Sequence, residues 1–143
     1  MSNRSRFVRG VAVAAVMATG CSTPLKDLPM APSEFTSGVI VYEHANFLGA
    51  SAHLTGDIAD LSKFNGPCMH EDDDGATYYD WNDCISSVKV APGWTATLFR
   101  GAGYKDDSIV LTADAGNLQA FTQHDCPKTG LNDCVSSIRV RPQ

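Results

Sequence analysis

From about Gly38 onward the chain reads as short runs rich in β-branched and aromatic residues, each closed by turn-formers. Val39-Ile40-Val41-Tyr42 and Ala96-Thr97-Leu98-Phe99 are two such runs. Asn46-Phe47-Leu48-Gly49 follows the first, and Gly103-Tyr104-Lys105-Asp106 follows the second. Ser51 to Leu54 and Ser108 to Leu111 predict the next strands. Asp57 to Phe64 and Asp114 to Phe121 predict longer connections with one helical turn each. Val88-Lys89-Val90 and Ile138-Arg139-Val140 alternate and predict closing strands. Pro92-Gly93 marks the turn between the two sets. The pattern predicts an all-β domain of about eight strands, four in each half, packed face to face as a sandwich.

The halves are copies. A shift of 57 residues puts Tyr42 on Phe99, Phe47 on Tyr104, Ser51 on Ser108, Leu54 on Leu111, Asp57 on Asp114, Leu61 on Leu118 and Phe64 on Phe121. Further on, Asn82-Asp83-Cys84-Ile85-Ser86-Ser87 returns as Asn132-Asp133-Cys134-Val135-Ser136-Ser137 at an offset of 50. The first half therefore carries seven extra residues between Phe64 and Asn82, where Glu71-Asp72-Asp73-Asp74-Gly75 reads as an acidic surface excursion. Two copies indicate a pseudo-two-fold domain, since a solenoid needs at least three repeats.

Residues 1–20 have the build of an export signal. Arg4, Arg6 and Arg9 precede an apolar run from Val11 to Ala18, too short to span a bilayer. Ala18-Thr19-Gly20-Cys21 resembles a bacterial lipobox, with Ala in place of the usual Leu. It implies a lipidated Cys21 at the mature N-terminus and a protein displayed on the periplasmic or cell-surface side of a membrane. Residues 21–37, with Pro24, Pro29 and Pro32, predict an extended linker, leaving 38–143 as the domain. Three of the eleven basic residues precede Cys21 and all sixteen acidic ones follow it, so the remainder carries eight basic against sixteen acidic side chains. That balance, without a Lys/Arg cluster, argues against nucleic acid or an anionic membrane surface as partner. A monomer is expected.

The repeated loops offer what a hard cation takes: carboxamide oxygens of Asn82 and Asn132, carboxylates of Asp83 and Asp133, hydroxyls of Ser86 and Ser136, and free backbone carbonyls. Calcium is the ion this inventory predicts. Tyr42-x4-Phe47-x-Gly49 with Ser51, followed by Asn-Asp-x-x-Ser-Ser, resembles the microbial βγ-crystallin domain, a β-sandwich of two Greek-key motifs. The resemblance covers nearly all of residues 38–141, with motif 1 at about 38–91 and motif 2 at about 94–141. It implies that each loop gives a carbonyl at its third position and a hydroxyl at its fifth: Cys84 O with Ser86, and Cys134 O with Ser136. It also implies an acidic ligand just after the first aromatic, here Glu43, facing the loop Asn132 to Ser137.

The second half departs from that pattern. Arg100 stands at the position of Glu43 and Asp106 at that of Gly49. A guanidinium has no lone pair to offer and repels a cation. Two unequal sites are expected, the Glu43/Ser136 site tighter and the Ser86 site weaker or compensated by Asp106 or Asp107.

Apart from Cys21, the chain has Cys68, Cys84, Cys126 and Cys134, an even set in an exported chain, which argues for disulfides. Of three possible pairings, the repeat favours Cys68–Cys84 with Cys126–Cys134, one bridge in each half. A zinc site using Cys and His124 is disfavoured by the wide spacing. His44, His53 and His70 are scattered, and Trp81 and Trp94 read as core or rim packing. No Gly-x-Ser-x-Gly elbow, phosphate loop or other catalytic constellation is present, so no enzyme activity is expected. The competing reading is a peptidase-inhibitor or toxin-like module on the same fold, binding a protein partner through an exposed loop from Met69 to Tyr79.

Overall fold

The computed structural model describes residues 35–122, 126 and 130–143. The export signal, Cys21, most of the linker and His124 lie outside the described residues. Eight strands are formed: β1 (Val39–His44), β2 (Leu48–Leu54), β3 (Asn65–Glu71), β4 (Thr77–Asp80), β5 (Ser87–Val90), β6 (Trp94–Gly101), β7 (Lys105–Leu111) and β8 (Ser137–Pro142). The expected all-β duplication is present. One antiparallel sheet runs β2-β1-β5, its counterpart runs β7-β6-β8, and β3 pairs with β4 alone.

The repeat is structural down to the rings. Tyr42 and Phe47 meet edge to face at 5.6 Å, and so do Phe99 and Tyr104, also at 5.6 Å. Lys89 lies over the first pair and Arg139 over the second. Phe47 and Tyr104 both adopt left-handed φ, 62° and 61°. The carbonyl of Ala91 accepts from the amide of Trp94 at 3.0 Å, closing the predicted Pro92-Gly93 turn. Gly93 sits at its third position with φ 75°, which suits a residue without Cβ.

The connections behave as the sequence predicts locally: Leu61–Lys63 and Leu118–Ala120 are single 3₁₀ turns, each begun by a side-chain cap from Asp60 or Asn117. Their wider role is to lace the halves together. Ile58 of the first half exchanges two backbone hydrogen bonds with Ile138 of β8, both 2.9 Å, and Ala115 of the second half does the same with Val88 of β5 at 2.8 and 2.9 Å. Asp57 and Asp114 extend these pairings, accepting from the amides of Val140 and Val90. The core between the sheets holds Val39, Val41, Leu61, Ile85, Val88, Leu98, Leu118, Val135, Ile138 and Val140, all nearly or fully buried. Trp81 is buried and Trp94 packs against the core edge.

The seven-residue excess of the first half lies within a stretch that is more ordered than an acidic excursion. The Met69–Tyr79 stretch belongs mostly to the β3–β4 hairpin, with Met69 opposite Tyr79 and His70 opposite Tyr78. Only residues 72–76 form the turn, where Asp72 Oδ1 accepts from the amides of Asp74 and Ala76. Asn65-Gly66-Pro67-Cys68 has no alternation, and β pairing here follows from the bridge to the adjoining loop. The two disulfides join Cys68 to Cys84 and Cys126 to Cys134, as the repeat favours, with Cα separations of 5.9 and 6.2 Å.

Candidate metal site

Each repeated loop leads into a strand that pairs with the first strand of its own half. Tyr42 stands opposite Ser87 in the β1–β5 ladder, and Phe99 opposite Ser137 in the β6–β8 ladder. The preceding serine is therefore held against the residue after the aromatic. Ser86 N–H donates to Tyr42 O at 2.9 Å, and Ser136 N–H donates to Phe99 O at 2.9 Å. Ser86 Oγ–H then reaches Glu43 O at 2.7 Å and Asp133 Oδ1 at 3.3 Å. In the opposite loop the Ser136 hydroxyl hydrogen-bonds the carboxylate of Asp83.

The two serines of each pair divide their roles. Ser87 and Ser137 are completely buried. Ser87 Oγ accepts from the amide of Phe47 at 3.0 Å and donates to His44 O at 2.6 Å, while Ser137 repeats this with Tyr104 and Gly101 at 3.0 and 2.6 Å. These serines staple the aromatic turns. Ser86 and Ser136 remain for the site.

This geometry corrects one expectation. Glu43 meets the hydroxyl of Ser86, not of Ser136, because antiparallel pairing of β1 with β5 fixes the two in one sheet. What the loop Asn132 to Ser137 supplies beside Glu43 is the Asp133 carboxylate. Glu43 also presents its main-chain carbonyl rather than its carboxylate to Ser86, since Glu43 Oε2 is taken up by the amide of Ala50 at 3.1 Å. The side-chain difference between Glu43 and Arg100 thus bears on the charge near each loop. Asp106, at the position of Gly49, adopts the same left-handed backbone, φ 62° against 77°.

The carboxylates cross between halves because of local backbone. Asp83 and Asp133 have φ of 49° and 51°, a region that Asp tolerates better than most residues. Asn82 Nδ2 donates to Asp83 Oδ2 at 2.8 Å, and Asn132 does the same for Asp133. Asn82 and Asn132 thus orient the acids. Cys84 and Cys134, the third residues, are fixed by their bridges, and Cys84 is fully buried. The start of the first loop is pinned by Asp80, whose Oδ1 accepts from the Asn82 amide at 2.7 Å. Asp80 is buried and its Oδ1 lies 3.2 Å from His70 Nε2, a proximity for which residues 80–82 give no visible cue in the sequence.

Glu43, Ser86, Asp133 and Asp83 line one cavity of about 520 Å³, with His44 and His70 at its wall. Burial raises the carboxyl of Asp83 above its ordinary value, against the opposing pull of His70 and the hydrogen bonds from Asn82 and Ser136. Asp133 is raised for the same reason, with Ser86, Asn132 and His44 opposing. Both side chains are exposed at the loop surface yet partly desolvated by their surroundings, a penalty that a bound cation would relieve. Hydroxyl, carbonyl and carboxylate oxygens are also calcium's ligand chemistry, and oxygens sharing one ion at roughly 2.4 Å lie about 3 Å apart. The residues fit the ion. Among the described residues no cluster of three or more His, Cys, Asp and Glu side chains could hold a metal.

A duplicated Greek-key sandwich whose two Asn-Asp-x-x-Ser-Ser loops exchange carboxylates defines a class of β proteins. Structural neighbours include a domain solved for the evolution of the eye-lens βγ-crystallin fold, with TM-score 0.58 and 27% identity, covering 76% of this chain and 88% of that one. A βγ-crystallin domain from Flavobacterium johnsoniae aligns with TM-score 0.52 and 28% identity over 73% of this chain and 94% of its own. Spherulin-3A of Physarum polycephalum is 30% identical over 102 residues, 71% of this chain and 80% of Spherulin-3A. The model of peptidase inhibitor family I36 matches residues 39–111, just over half the chain. The chain belongs to the βγ-crystallin family and, within that fold, to peptidase inhibitor family I36.

Proposed function

We propose that this protein is a non-enzymatic, calcium-binding and calcium-stabilised domain, exported and held at a membrane by lipid on Cys21. The observation that carries the reading is the convergence of Ser86 Oγ, Glu43 O and Asp133 Oδ1 within hydrogen-bond distance, with the carboxylate raised by burial. Calcium bound there would neutralise Asp133 and tie the loop of one half to the strand of the other. Its effect is linkage: an ion that binds only the folded state adds about 2.7 kcal/mol at a hundredfold excess over Kd. The disulfides hold the loops without the ion, so calcium tunes rigidity rather than creating the fold. The test is calorimetric calcium titration of the chelator-treated full chain. Saturable heat that is lost in Ser86→Ala supports the reading; no heat together with an unchanged Tm in excess calcium rejects it.

The second reading is peptidase inhibition, favoured by the family I36 match, which spans the β3–β4 hairpin. Met69 and Tyr79 on that hairpin are 65% and 53% exposed, a large apolar display for a surface strand pair. Inhibition of secreted peptidases, measured with and without residues 72–76, tests it independently of calcium.

A further inference from the structure

Between β2 and the β3–β4 hairpin runs an open groove of about 780 Å³, away from the Ser86 hydroxyl and both loop carboxylates. Tyr79, 53% exposed, and Trp81 line it together with Tyr78, whose ring stacks on His70 at 5.4 Å. Exposed aromatic rings beside a concave surface offer flat apolar faces at little entropic cost. Part of the remaining lining is polar, and Ser62 donates its hydroxyl to Asp60 at 2.6 Å. The side chains of Ser51, Lys63 and Asn65 make no hydrogen bond or ion pair with the described residues.

Charge narrows the ligand. The chain has sixteen acidic residues, yet none lines this groove, and its one charged group is Lys63. The nearest carboxylates, Asp60 and Glu43, are taken up by Ser62 and the Ala50 amide, so the lining itself offers a cation beside neutral donors, which selects a ligand carrying negative charge. The lining also disfavours an extended peptide. Strand addition needs main-chain donors along the edge, but Pro67 has none and the Ala50 amide is committed to Glu43 Oε2. Planar rings with scattered hydroxyl, amide and ammonium groups match a polyhydroxylated ring instead.

We propose that this groove binds an acidic oligosaccharide, with Tyr79 stacking on a sugar face and Lys63 pairing with a uronate carboxylate. Tetragalacturonate and neutral maltotetraose are titrated against the full chain in chelator, which keeps calcium from bridging the uronates to the loops and makes the result independent of the calcium reading. Tetragalacturonate should saturate at least tenfold more tightly than maltotetraose, roughly the contribution of one charge-assisted hydrogen bond. Lys63→Met should remove that preference, and Tyr79→Ala should weaken both sugars. Lys63 and Tyr79 are exposed, and near-ultraviolet circular dichroism checks that each variant keeps its fold. The proposal is overturned if tetragalacturonate does not saturate at millimolar concentration, if Lys63→Met retains the acid preference, or if tetraglutamate binds equally well.

Discussion

The hydroxyl of Ser86 lies 2.7 Å from the carbonyl oxygen of Glu43 and 3.3 Å from Asp133 Oδ1, so hydroxyl and main-chain oxygen come from one half and the carboxylate from the other, and the Ser136 hydroxyl likewise meets Asp83 of the opposite half. With Glu43 on the Ser86 side, the prediction is that calcium binds more tightly at Ser86 than at Ser136. The Ser86 hydroxyl has Glu43 beside it, while Arg100 stands at the equivalent position of the second half. Ser86→Ala should abolish the tighter calcium event in calorimetry and Ser136→Ala the weaker one. Arg100→Glu should strengthen the weaker site by removing a repelling charge. Glu43→Ala should cost much less than Ser86→Ala, because its main-chain oxygen remains. Equal loss in the two serine variants would rule out this assignment.

Asp83 and Asp133 give the site a distinctive pH signature. Burial holds both carboxyls above the usual value, so the folded chain binds more protons than the unfolded chain between the two values. Stability from these groups is then full at low pH and is lost as pH rises through the folded value. In chelator at neutral pH, Asp133→Asn should melt at or above the wild-type Tm, and that advantage should vanish as the medium is acidified below the carboxylate range. Excess calcium should reverse the order, raising the Tm of the wild type more than that of the variant. Asn accepts the left-handed φ of 51°, so the comparison isolates charge. A variant less stable than wild type in chelator at every pH would refute the burial argument.

Ser87 separates structure from binding. Its buried hydroxyl joins the amide of Phe47 to the carbonyl of His44, and Ser87→Ala leaves both without this partner. A loss of about 1–3 kcal/mol is expected from denaturant unfolding. Calcium affinity of the folded variant should change little, in contrast to Ser86→Ala. Loss of affinity as large as that in Ser86→Ala would place Ser87 in the site as well.

The two bridges should contribute unequally. Cys68–Cys84 spans 16 residues and Cys126–Cys134 spans 8, which the loop-closure model converts to about 3 and 2.5 kcal/mol. The first also anchors the hairpin to the loop. Replacing Cys68 and Cys84 by Ala should therefore increase hydrogen exchange across β3 and β4 beyond what the loss of global stability explains. Unchanged hairpin protection would mean that packing of Trp81 and His70 suffices.

Much of this fold is legible because duplication makes the chain its own comparison. The pairing of Tyr42 with Phe99 and of Phe47 with Tyr104 locates the strands and turns, and the two Cys loops favour the disulfides found. What the residues do not encode locally is register. Whether Glu43 meets Ser86 or Ser136 is decided by Tyr42 standing opposite Ser87, a contact 45 positions apart along the chain. The β3–β4 hairpin hides for a related reason: Gly66, Pro67 and the acidic run mask pairing held by Cys68 and buried Asp80. The Asp80–His70 pair is equally silent, since its partners are brought together only by that hairpin.

The interlacing at Ile58 and Ala115 has the farthest-reaching consequence. Each half lends a segment to the other half's sheet, with Ile58 on Ile138 and Ala115 on Val88, and Leu61 and Leu118 donate further across to Ser136 and Ser86. A single half would leave those amides and carbonyls unpaired and the inner faces of its strands in water, at a cost its own packing does not offset. Residues 38–91 and 94–143 expressed separately should each show no cooperative thermal transition, whereas mixing them should restore β-sheet circular dichroism. The intact chain should unfold in one transition, with calorimetric and van't Hoff enthalpies equal. Two resolved transitions, or a first half that melts cooperatively alone, would mean that the halves are independent modules and that calcium links two folded units instead of completing one.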